Sequence, residues 1–140
     1  MDQTLIASAK SKPVDSEKIT INLGYVDLGQ VDLLVSEGFY SNRTDLIRTA
    51  IRNQLSSHAD VLKQVVARKM LVLGMQQFTT VDLETARKAG QRLQIRVLGL
   101  ASIADDVTPD LAAATIESIT VLGAFQASSG VKAALAGRIR

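Results

Sequence analysis

The sequence predicts an α+β fold in two parts. A strand and two helices that need a second copy come first, and a small solenoid-like α/β repeat follows. Two observations carry this. Lys18-Ile19-Thr20-Ile21-Asn22-Leu23 alternates polar and apolar residues strictly, and two segments with helical spacing come after it. Val-Leu-Gly then recurs at 72–74, 97–99 and 121–123, spacings of 25 and 24 residues, each time ahead of an Ala-rich helical stretch.

The elements follow in order. Residues 1–16 are polar, contain Pro13, and are expected to form a flexible arm. The alternating segment predicts a half-buried strand, with Ile19, Ile21 and Leu23 inward and Lys18, Thr20 and Asn22 outward; Gly24 ends it. Asp27 stands three residues before Gln30, a capping-box spacing, and Leu28, Val31, Leu34 and Val35 mark a short helix. Gly38 suits the left-handed position that stops it. Asn42 is a good N-cap with Asp45 three residues on, and Leu46, Ile47, Ala50, Ile51 and Leu55 give a second helix to about Ser57. Residues 59–69 read as a helical connector, either continuing that helix or starting afresh near Asp60.

Residues 70–140 are expected to hold three repeat units around Gly74, Gly99 and Gly123. In each unit the tripeptide ends a strand. Stacking aligns Val72, Val97 and Val121 in one ladder and Leu73, Leu98 and Leu122 on the opposite face. Helices are expected over 80–90, from Thr108-Pro109, and over 131–137.

Composition narrows the function. The chain of 140 residues is 46% apolar and 21% charged, which is globular. It has no cysteine and one histidine, so disulfides, thiolate zinc sites and cysteine nucleophiles are excluded. His58 is expected to be structural or solvated, with no metal and no cofactor. Asp105-Asp106 reads as a turn, and no nucleophile, phosphate loop or dinucleotide fingerprint accompanies it, so an enzyme is not expected. No apolar run approaches a membrane span, and the first residues lack the apolar core of a signal peptide. A cytoplasmic, nucleoid-associated protein of bacterial type is the expectation. Residues 1–60 carry six Lys/Arg against eight Asp/Glu, and residues 61–140 ten against six. Any nucleic-acid binding would therefore be local and not the work of a general basic field.

A lone six-residue strand with two short helices leaves backbone donors unpaired and buries little. A symmetric homodimer remedies both, with two copies of the strand pairing antiparallel. The outward face of that ribbon shows Lys18, Thr20 and Asn22 from each chain. Such a ribbon fits the major groove of double-stranded DNA, where Asn can pair with adenine, Lys with guanine, and Thr with an edge group or the thymine methyl.

Residues about 17–57 strongly resemble the ribbon-helix-helix domain of CopG/Arc/MetJ-type bacterial transcriptional regulators. The resemblance rests on KITINL, Gly38, Phe39-Tyr40 and the start Asn42-Arg43-Thr44-Asp45, all in register. It implies an intertwined dimer over 17–58, base contacts from Lys18, Thr20 and Asn22, and a DNA phosphate held by the backbone N–H groups of Asn42, Arg43 and Thr44. The physics agrees, because a helix N-terminus is an anion site. Arg43 is also placed near phosphate through its side chain, whereas Arg48 and Arg52 are expected to pair within the chain, for example with Asp45.

The second half matches no regulator partner domain on sequence. It has neither the His and Cys ligands of nickel-responsive members nor the polar tail of the antitoxins. The functional expectation is a sequence-specific regulator, a repressor, whose C-terminal domain serves oligomerisation or partner binding. A self-assembling scaffold that uses the first domain only to dimerise, and an antitoxin autorepressor, are the alternatives.

Overall fold

A computed structural model describes residues 16–140, so the arm expected at 1–16 lies outside the described residues except for Ser16. The chain divides into a unit over Lys18–Val65 and one that includes Val66–Arg140.

In the first unit, residues 16–24 carry no hydrogen-bonded secondary structure. Helix α1 spans Tyr25–Ser36 and α2 spans Arg43–Ser57. The first start corrects the sequence expectation. Gly24 is the N-cap and makes no side-chain bond, so Asp27 sits inside the first turn, where its charge favours the helix dipole, and not at the cap. The end is as expected. Gly38 has φ +85°, its N–H bonds to Val35 O and that of Phe39 to Leu34 O, the paired bonds of a Schellman stop. Asn42 caps α2 through Oδ1, which accepts from Asp45 N at 2.8 Å, while Asp45 Oδ2 accepts from Ser41 N at 3.0 Å. Helix α3, Ala59–Arg68, is a new helix, because His58 leaves the helical conformation at φ −103°, ψ 12°.

Neither α1, α2 nor α3 has a single buried residue. Leu28, Val31 and Val35 of α1 and Leu46 and Ile47 of α2 are half-buried, which is the apolar face the spacing predicts. Ile19, Ile21 and Leu23 are 71%, 57% and 41% exposed. This corrects the half-buried strand as a property of one chain. A single segment has no neighbour of its own to pair with, so neither ladder nor burial forms.

The second unit holds β1 (Val72–Phe78), α4 (Thr80–Lys88), β2 (Leu93–Ile103), α5 (Pro109–Thr115), β3 (Ile116–Gln126), α6 (Ser129–Ala134) and a 3₁₀ turn at Ala136–Arg138. The sheet is all parallel in the order β1-β2-β3. Its register sets Val72, Val97 and Val121 side by side, then Leu73, Leu98 and Leu122, then Gly74, Gly99 and Gly123. One face carries the core, where Ile95, Val97, Ala101, Ile103 and Ile119 pack with Leu83 of α4, Leu111 and Ala112 of α5, and Val131 and Leu135. Thr108 caps α5 with Pro109 at its first turn, as the sequence indicates.

Three details depart from expectation. The glycines do not end the strands, since each strand runs on past its glycine. All three adopt positive φ (+129°, +140° and +122°), so the sheet bends at one level and the ladder continues through it. Helix α6 begins before Val131, because Ser128 Oγ accepts from Val131 N at 3.2 Å and caps it. Helix α4 stops at Lys88, ahead of Gly90.

Met70, between α3 and β1, is the one non-glycine with positive φ (53°) among the described residues, and it is 68% exposed. Its N–H and that of Leu71 close the stop on Ala67 O and Val66 O. Met70→Gly is expected to raise stability by roughly 0.5 kcal/mol, since it relieves left-handed strain, loses little packing, and adds some unfolded-chain entropy. A shifted denaturation midpoint with unchanged slope would register it.

Candidate nucleic-acid interface

Lys18, Thr20 and Asn22 are all exposed. Nothing in their own chain orders them into a ribbon face, so that arrangement depends on a partner strand. The start of α2 is better defined. Asp45 N is satisfied by the Asn42 side chain, whereas the N–H groups of Arg43 and Thr44, the first of the helix, have no carbonyl four residues back. Two open, parallel N–H groups at a helix N-terminus suit an anionic oxygen.

Arg43 itself is held elsewhere. Its Nε and Nη2 each donate to Asp32 of α1, to Oδ1 and Oδ2, both at 2.8 Å. This bidentate ion pair is what the structure shows in place of a side chain free to reach phosphate. It ties the start of α2 to α1 and so positions the open N–H groups. Both side chains are about half exposed, at 55% and 50%, so salt will screen the pair.

The hydrogen bond from Arg43, and then its charge, hold the Asp32 carboxyl below its ordinary value. A depressed folded value means the pair's stabilisation is in place above the unfolded value of 3.8 and is lost as pH falls through the lower folded one. Asp32→Asn is therefore expected to be less stable than the parent at neutral pH. The gap should close in acid, as parallel denaturation curves across pH would show.

Arg48 and Arg52 correct the other arginine expectation. Arg43–Asp32 is the one ion pair among the described residues, and the Asp45 carboxylate is already engaged by Ser41 N. Arg48 and Arg52 therefore stand exposed on α2 without an acidic partner among the described residues.

A family model described as the Ribbon-Helix-Helix transcriptional regulator family matches residues 14–132. The chain belongs to that family. No curated protein and no solved structure matches it. The family match runs far beyond the resemblance at 17–57 and ends inside α6, so the three-stranded unit is part of this regulator family's own pattern. Sequence reasoning left that half unassigned because it carries no ligand motif.

His58 ends α2 with Nε2 3.2 Å from Gln54 Nε2. Asp105-Asp106 forms the turn before α5. No group of three or more His, Cys, Asp or Glu that could hold a metal occurs among the described residues. No helix among them is long and apolar enough to cross a membrane.

Sequence reasoning missed Asp32, whose partner lies eleven residues away across a turn, where no local spacing reveals it. It also missed Arg138, whose Nη1 donates to Ala113 O and to Ile116 O at 2.8 Å and so caps the end of α5.

Proposed function

We propose that the chain is a dimeric, sequence-specific DNA-binding repressor. Two copies of Lys18–Leu23 form an antiparallel ribbon, and Lys18, Thr20 and Asn22 of each read base edges in the major groove. The open N–H groups of Asn42, Arg43 and Thr44 hold a phosphate, and the unpaired Arg48 and Arg52 add cationic charge on α2. The second unit serves oligomerisation. The protein acts by binding and not by catalysis.

One observation carries the reading. The Lys18–Val65 unit has a regulator family's sequence yet no buried residue, and Ile19, Ile21, Leu23, Leu33, Phe39, Ile51 and Leu55 are all exposed in one chain. A unit of this size cannot be stable with its apolar surface in water. A second copy supplies both the missing strand and the missing core.

A head-to-tail filament through strand edges is disfavoured. Arg140 N donates to Ile119 O at 2.8 Å and Ile139 bridges Ile119, so the chain's own end partly occupies the outer edge of β3.

Ile21→Lys tests the dimer. Lysine on the inner face of the ribbon would bury like charges across the two-fold axis, so ribbon pairing and DNA affinity are expected to be lost together. An Ile21→Lys protein that binds the selected site as tightly as the parent would contradict the ribbon.

A further inference from the structure

The sheet of the second unit is covered on one side only. The residues that pack with α4, α5 and α6 all lie on one face of the strands. The alternate positions, Leu73, Met75, Leu98, Leu100, Leu122 and Ala124, form the other face. Leu73 is 74% exposed, Met75 66% and Leu122 50%. A parallel sheet is normally covered on both faces, because its strands are apolar on both.

We infer that this open face is covered by the same face of a second copy of the chain. This deepens the oligomerisation reading above and rests on it only for the prior association of two chains through their ribbons. The face is flat and self-complementary. Three strands about 4.8 Å apart and about seven residues long give roughly 14 by 23 Å. Two such faces would bury on the order of 1,000 Å² in total, at the lower end of what specific interfaces bury. That area is sufficient for chains already held together, since linkage raises the effective concentration.

Charge points the same way. The rows of this face hold one charged side chain, Arg96, whose Nη1 donates to Lys69 O at 3.3 Å. With no acidic group and one engaged cation, the face offers little to nucleic acid or to a charged peptide. A two-fold axis lying across the strands in the interface would stack the central leucines Leu98 and Leu100 and set the two Arg96 side chains at opposite ends. Sheets stacked in this way interdigitate apolar side chains with no need for a free edge.

The test is the solution mass of the full chain by sedimentation, in the parent and in combinations of Ile21→Lys, Leu73→Glu and Leu122→Glu. Leu73 and Leu122 are at least half exposed, so glutamate there leaves the fold of one chain intact, which circular dichroism checks; Leu122→Met is the conservative control. Ile21→Lys alone is expected to remain associated through the sheet faces. Adding either glutamate should halve its mass to that of a monomer, and Leu122→Met should not.

Three results would overturn the inference. Ile21→Lys alone could already be a monomer. It could stay associated whichever glutamate is added. Leu73→Glu could dissociate it while Leu122→Glu does not, which would point to pairing through the β1 edge. If instead Ile21→Lys has no effect and the glutamates alone give monomers, the sheet interface stands and the ribbon dimer fails.

Discussion

Gly99→Ala and Gly123→Ala are expected to destabilise the second unit by on the order of 3–5 kcal/mol each, enough to unfold a marginal domain. Two effects add. Each glycine has a φ (+140° and +122°) that L-residues rarely adopt. A Cβ at Gly99 would also run into the carbonyl oxygen of Gly74, and one at Gly123 into that of Gly99. These are backbone atoms of the neighbouring strand, so the strands themselves would have to part. Gly74 makes an internal control. Its φ is +129°, but its added Cβ would meet nothing within 4 Å, because β1 is the edge strand. Gly74→Ala is expected to carry the conformational strain alone, about 1–3 kcal/mol. Urea denaturation of the three variants checks the order; equal losses at all three positions would contradict the strand-contact account.

Asn22→Ala and Thr20→Ala are expected to weaken specific DNA binding by roughly 1–3 kcal/mol each, about 5- to 150-fold. Their affinity for unrelated duplex should change little, because phosphate contacts supply most nonspecific binding. Alanine favours a strand no less than asparagine does, so the ribbon should still form. Titrations of specific and unrelated duplex at one salt concentration separate loss of reading from loss of binding. An equal drop on both duplexes would place these residues in general attraction.

The local rules were legible in the sequence. Asn42, Gly38 and Thr108-Pro109 set helix ends through bonds within a few residues, and the structure shows those bonds or conformations at each place. The Val-Leu-Gly period was legible as well, because parallel strands that repeat at constant spacing fall into register. What could not be read locally depends on other strands or other chains. Nothing in Val-Leu-Gly tells a glycine that ends a strand from one that bends it while its neighbours bend alongside. The Asp32–Arg43 pair crosses a turn that periodicity does not describe. The inward face of Lys18–Leu23 was legible as a pattern, but its burial belongs to an assembly and not to one chain.

Selection of bound sequences from a random duplex library, with the full chain at near-physiological salt, tests the central claim most directly. The account predicts an enriched inverted repeat, with Asn22→Ala losing enrichment at particular base positions while others persist. Absence of enrichment, or binding indifferent to sequence, would contradict the ribbon as a reader of DNA and leave the first unit a dimerisation device.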